Sequence, residues 1–171
     1  IENLLSGLPA FGFHPLNTAD VALIQTRIPG QADRLFTATE QVTADRLAVL
    51  GCNLVTSPVC AHDRQAIAEL ITSSIADGAD IVLVCGGSAI IDRQDELPQA
   101  VIAARGNVNQ LGLAVDPGNL LMFAKVGKVP VIGMPGCARS PKLNGLDWVL
   151  QLVLADIEMT RGEFADMAAG G

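Results

Sequence analysis

Along this chain, short uninterrupted apolar runs alternate with stretches in which apolar residues recur every three to four positions. Ile81 to Cys85, IVLVC, is one such run, bounded by Gly78-Ala79-Asp80 and Gly86-Gly87. With no polar residue to face water, it predicts a strand covered on both faces, as in a parallel sheet. Val21 to Thr26 predicts a first strand, ended by the turn signal Arg27-Ile28-Pro29-Gly30, and Leu54-Val55-Thr56 a second. Between them, Val42, Leu47, Val49 and Leu50 predict an amphipathic helix over 39–50, stopped by Gly51. After Pro58, Asp63 is placed to cap a helix whose apolar positions Ile67, Leu70, Ile71 and Ile75 keep helical spacing up to Asp77-Gly78.

Beyond the two glycines, Asp95, Glu96 and Pro98 read as first-turn residues of a helix that continues through Ala100, Val101, Ala103 and Ala104. A strand is predicted over 108–115, stopping at Asp116-Pro117-Gly118-Asn119, and a hairpin pairs 120–125 with 129–134 across Val126-Gly127-Lys128. Leu146, Trp148 to Leu150 and Leu152 to Leu154 predict a buried helix after Asn144-Gly145, with Trp148 in the core. Thr160 with Glu163 gives a capping-box pattern for a last helix over 161–167, before 168–171 frays into a linker. The order predicts an α/β domain, a three-layer α/β/α sandwich with a mainly parallel sheet to which the hairpin adds an antiparallel part. Residues 1–20, broken by Gly7, Pro9, Gly12 and Pro15, form a lead-in segment, 21–159 the domain and 160–171 the final helix and linker.

Composition narrows the function. Half of the 171 residues are apolar and only 4% aromatic, so the core is built from Ala, Val, Ile and Leu. A net charge of −7 and a pI near 4.6 argue against binding nucleic acid or an anionic membrane without a local site. No apolar run reaches a membrane span, so the expected class is a soluble cytoplasmic protein. The start at Ile1 without methionine and the Gly170-Gly171 finish raise the expectation of further sequence on either side. Four cysteines form no Cys-x-x-Cys pair and the histidines are two, His14 and His62, so no metal site is expected and the thiols are read as reduced. His14 reads as a loop residue and His62-Asp63 as a helix start.

In open α/β sheets, ligands sit beyond the carboxyl ends of the strands. There Gly86 and Gly87 either make the turn the strand needs or bring bare backbone N–H groups close to an anionic ligand. Ser88 either closes that turn or donates to a phosphate. Asp95, with Asp92 as the fallback acid, is either a helix-start charge or the chemical group of the site. Arg139 and Lys142 either pair with a phosphate or lie in solvent, and Cys137 is either a thiol activated at a helix N-terminus or a small packing residue.

Cys85-Gly86-Gly87, then Asp95, then Pro117-Gly118, then Gly133-Met134-Pro135-Gly136-Cys137-Ala138-Arg139-Ser140 occur in a recognisable order. Over roughly residues 21–155 the chain resembles the molybdopterin-binding domains of molybdenum-cofactor biosynthesis, the MoaB/Mog group. The resemblance implies a three-layer fold that binds the pterin dithiolene phosphate, with Gly86, Gly87, Ser88, Asp92, Asp95, Pro117, Gly118, Pro135, Gly136, Cys137, Arg139 and Ser140 at the site. Asp95 takes the catalytic or orienting role, and molybdopterin or the molybdenum cofactor is the ligand. The family often carries Thr-Gly-Asp-Glu after its first strand, where this chain has Thr26-Arg27-Ile28-Pro29-Gly30. That departure speaks against Mg-dependent adenylylation or molybdate insertion and leaves Mg as an open cofactor. Asn119, Cys137 and Ala138 stand where lysine, asparagine and proline are common. Chains with this variant ending are similar to the molybdopterin-binding part of fusions to a nucleotidyltransferase, which implies a transferase context, with a homo-oligomer as a further expectation.

Three functions follow in order. The first is a molybdopterin-binding domain in cofactor biosynthesis or maturation. The second is a non-catalytic carrier or assembly module for a fused or separate nucleotidyltransferase. The third, a nucleotide-dependent dehydrogenase, rests on the Gly86-Gly87-Ser88-x-x-x-Asp92 loop alone and lacks metal-binding histidines.

Overall fold

In the computed structural model, which describes residues 13–167, one mixed sheet runs through the middle of the domain in the order β2-β1-β4-β7-β6-β5, with β3 also paired to β1. The strands are β1 (Asp20–Arg27), β2 (Asn53–Thr56), β3 (Val59–Ala61), β4 (Ile81–Cys85), β5 (Asn107–Leu111), β6 (Met122–Val126) and β7 (Val129–Met134). β1 is parallel to β2, β3 and β4, and β4 to β7, while β6 runs antiparallel to both β5 and β7. The mainly parallel sheet with an antiparallel hairpin is therefore as the apolar pattern predicts.

Helices α1 (Asp33–Val49), α2 (Arg64–Ala76), α3 (Glu96–Ala103), α4 (Gly145–Leu154) and α5 (Arg161–Asp166) cover the sheet. Alternation along β1 sends Ala22 and Ile24 into a core with Ile67 and Ile71 of α2 and Leu97 and Val101 of α3. Val21 and Leu23 go the other way, to Leu47 of α1 and Leu146, Val149 and Leu150 of α4. The two faces of one strand thus supply two cores, which makes three layers. Each of the Val, Leu and Ile side chains among them, fully buried, contributes about 1.5–3 kcal/mol. α5 closes the second core by packing Phe164 against Phe123, with ring centroids 5.4 Å apart and planes tilted by 56°. Trp148 is half-buried at the rim of that core.

Three elements differ from the sequence expectations. α1 begins at Asp33, six residues before the predicted start at Thr39. Its buried face carries Phe36, Thr39, Thr43, Arg46 and Leu47, helical in spacing but largely polar. The threonines fit because Thr39 and Thr43 return their hydroxyls to the carbonyls of Leu35 and Thr39, at 2.7 and 2.8 Å. β3 is an additional strand. β1 outruns β2, which pairs only with its first residues, so β3 takes over opposite Gln25, Thr26 and Arg27. The strand predicted over 108–115 ends at Leu111, because Gly112 turns the chain at φ +78°.

Capping follows the sequence closely. Asp63 accepts from the backbone N–H groups of Gln65 and Ala66 at 3.0 and 3.1 Å. Asn144 and Asp147 form a reciprocal capping box at the start of α4. The Thr160 hydroxyl accepts from Gly162 N at 3.1 Å, while the Glu163 side chain and the 168–171 linker lie outside the described residues. Most of the lead-in segment, 1–12, also lies outside them, and its continuation is tied to the domain by the bond from Asn17 N to Leu154 O at 2.8 Å. Among the described residues no helix is long and apolar enough to cross a membrane.

Candidate functional site at the carboxyl ends of the strands

Cys85 pairs with Met134 on one side and Gln25 on the other, so the chain leaves β4, β7 and β1 at the same end of the sheet. The turn Gly86-Gly87-Ser88, the segment Pro135 to Ser140 and the β1 exit meet there. The connection over 112–121 reaches the same end, since Pro117 O accepts from Gly145 N at the start of α4, and that first turn is tied through Asp147 and Arg46 to the carbonyls of Ala138 and Ser140. A cleft of about 490 Å³ lies at the opposite end, lined by Asn17, Asp80, Lys125 and Lys128 among others. We place the candidate site at the carboxyl end, where a parallel sheet presents its loops to ligands.

Both glycines of the β4 turn are required by close backbone approach. A Cβ on Gly87 would lie 2.9 Å from Ile28 Cγ2 and 3.2 Å from the Thr26 carbonyl oxygen, and one on Gly86 would lie 2.7 Å from the Ser88 carbonyl oxygen. The Gly87 N–H points inward and donates to the Thr26 hydroxyl at 2.6 Å. The same hydroxyl meets His62 Nδ1 at 2.8 Å, and His62 Nε2 meets the Ser88 hydroxyl at 2.9 Å. Gln31 also crosses the gap, accepting from Ile28 N at 3.1 Å and donating to the Gly87 carbonyl at 3.4 Å.

The next part of the loop is organised by Asp95. Its Oδ2 accepts from the N–H groups of Ile91 and Asp92 at 2.7 and 2.9 Å, and these bonds, Asp92 first, hold its pKa below the ordinary carboxylate value. Asp95 is the N-cap residue of α3 by position, yet its carboxylate closes the loop before the helix rather than the helix itself. Asp92 lies exposed beside it and accepts from Gln94 N at 2.7 Å.

Arg139 turns inward. Its two terminal nitrogens donate to the Thr39 hydroxyl at 2.7 Å and the Gly86 carbonyl at 3.1 Å, which ties the glycine turn to α1. A second arginine shapes the segment after β7. Arg46 of α1 pairs with Asp147 of α4 at 2.7 Å and donates to the carbonyls of Ala138 and Ser140 at 3.0 and 2.9 Å. Pro135 is buried, Gly136 is exposed with no atom near its missing Cβ, and Ser140 and Cys137 are half-buried. Burial is the main reason the Cys137 thiol pKa is raised, the direction of a packing residue rather than of an activated thiol. Lys142 is exposed. Pro117 and Gly118 pack on the start of α4, where Pro117 O accepts from Gly145 N at 2.9 Å and a Cβ on Gly118 would lie 2.7 Å from Gly145 Cα.

The structure therefore gathers the residues expected from the sequence at one end of the sheet and adds Thr26, His62, Gln31 and Arg46. His62, read from sequence as part of a helix start, stands at the site because β3 aligns with the end of β1. His62 N then donates to Arg27 O at 3.0 Å. At the exit of β1, Arg27 is paired with Asp33 at 2.6 Å and lies over the Phe36 ring at 4.4 Å. All four cysteines are free, and among the described residues no group of three His, Cys, Asp or Glu side chains is placed to hold a metal ion.

Among solved structures, the chain is similar to a molybdopterin biosynthesis MoeA protein from Pyrococcus horikosii, with 22% identity and a TM-score of 0.57 over 82% of this chain and 35% of that one. The chain thus spans about a third of the length of that protein. It is also similar to a molybdenum cofactor biosynthesis protein B, with 15% identity and a TM-score of 0.50 over 92% and 98% of the two chains. At these identities the likeness shows the α/β fold. Residues 32–154 match the family described as "Probable molybdopterin binding domain", and the chain belongs to that family.

Proposed function

We propose that the domain binds molybdopterin at the loops after β1, β4 and β7 and serves molybdenum-cofactor biosynthesis or maturation. The observation that carries this reading is the convergence of three separate segments at one sheet end. Gly86-Gly87-Ser88, Pro117-Gly118 and Pro135 to Ser140 are far apart in sequence and belong to a chain of the molybdopterin-binding family. The exposed Ser88 hydroxyl and the open backbone at Gly136 supply a donor and room for close approach. Asp95 acts here by holding the loop over 91–95, and Arg139 and Arg46 by fixing the walls.

Reading the site as a carrier, handing its ligand to a fused or separate nucleotidyltransferase, is favoured by the β1 exit. Ile28 and Pro29, beside a paired Arg27, stand where the resemblance implies acids, and Asp95 Oδ2 is already committed to two N–H groups. This donor set does not suit Mg. Titration with molybdopterin, followed by assays for turnover of ATP, CTP and molybdate, tests both parts. Binding without turnover is expected. Turnover by the isolated domain would overturn the carrier reading, and failure of the folded protein to bind would overturn the proposal.

A further inference from the structure

The glycine turn of this family member does not present its Gly87 N–H outward, since that donor is spent on Thr26. A chain of hydrogen bonds begins there. Gly87 N–H can only donate, so Thr26 Oγ1 accepts it. Thr26 is completely buried, and its hydroxyl proton must have an acceptor within the protein. The neighbour able to accept is His62 Nδ1, at 2.8 Å. A neutral imidazole with a bare Nδ1 carries its proton on Nε2, which then donates to Ser88 Oγ at 2.9 Å. The proton of Ser88 itself is left over, and Ser88 is exposed at the mouth of the site.

We infer that Gly87, Thr26, His62 and Ser88 form a one-directional hydrogen-bond chain, which carries the donor of the glycine turn outward and delivers it at the Ser88 hydroxyl. Ser88 then recognises an acceptor-only group, an anionic phosphate-monoester oxygen, and His62 and Thr26 are positioning residues that fix its polarity. The assignment of the phosphate rests on the proposed molybdopterin function; the direction of the chain rests on the geometry alone. The same polarity separates this arrangement from a nucleophilic dyad. A serine activated as a nucleophile gives its proton to histidine, whereas here histidine gives its proton to serine.

Long-range proton–nitrogen correlation spectra of the His62 ring in the folded, ligand-free protein, recorded above the usual histidine titration range, test the direction. The expected result is a proton on Nε2 and a bare Nδ1, retained in Thr26→Ser and lost to a tautomer mixture in Thr26→Val. A wild-type ring protonated on Nδ1 would overturn the inference. Binding of molybdopterin tests the ligand half. Ser88→Ala is expected to weaken it roughly tenfold, as for a hydrogen bond to a charged acceptor. His62→Ala should weaken it by a similar factor, and should add less than about twofold when placed on Ser88→Ala. Undiminished affinity in folded His62→Ala, or additive losses, would overturn the positioning role. If the wild type fails to bind, the phosphate assignment falls with the proposed function, while the ring spectrum still decides the direction of the chain.

Discussion

Removing the guanidinium of Arg46 should both destabilise the domain and loosen the segment after β7. The Arg46 and Asp147 side chains are only 6% and 10% exposed, and their 2.7 Å contact joins α1 to α4. Arg46 also donates to Ala138 O and Ser140 O, and Asp147 Oδ2 accepts from Asn144 N at 2.9 Å. In Arg46→Met, volume is largely kept, but Asp147 retains a buried charge without its cation, and the two carbonyls lose their donor. Breaking such a pair from one side costs about 3–5 kcal/mol. For a domain of this size that is a fall in Tm on the order of 10 °C. Urea denaturation gives the cost directly through a lowered midpoint at unchanged slope. The double variant Arg46→Met/Asp147→Leu should be less destabilised than the sum of the single changes, by about 2 kcal/mol or more, because it leaves no orphan charge. A single Arg46→Met variant within about 1 kcal/mol of wild type would refute the reasoning.

Gly136→Ala meets no neighbouring atom and should leave stability within about 0.5 kcal/mol while weakening molybdopterin binding severalfold, checked by denaturation and titration of the same preparation. Asp95 carries a depressed pKa, so the stability it contributes is present above the ordinary carboxylate value of about 3.9 and is lost as pH falls through the lower folded value. The amide signals of Ile91 and Asp92 should report that transition below the ordinary value, and Asp95→Asn should abolish it. Cys137, its pKa raised by burial, should alkylate with a pH midpoint above the ordinary thiol value of about 8.5, in contrast to an activated cysteine.

Much of this architecture is written in local patterns. Ile81 to Cys85 has to be a strand buried on both faces, and Asp63 announces a helix start that the structure caps as expected. The early start of α1 was hidden because its buried stripe carries Thr39, Thr43 and Arg46, whose fit depends on hydrogen bonds rather than hydropathy. β3 was hidden because Val59-Cys60-Ala61 is too short to show a period and exists through its pairing with the far end of β1. His62 shares that reason, since its place beside Thr26 and Ser88 depends on register between strands. The two inward arginines have the same origin. Arg46 and Arg139 find partners about a hundred residues away, which sequence spacing around them does not show.

The most direct test of the account is equilibrium binding of molybdopterin to the purified protein, followed through the fluorescence of its oxidised pterin, with Gly87→Val as the blocked control. The added side chain would collide with Ile28 and the Thr26 backbone at the floor of the glycine turn. Saturable binding by the wild type and its loss in a folded Gly87→Val variant are expected. No binding by the folded wild type, or undiminished binding by the folded variant, would contradict it.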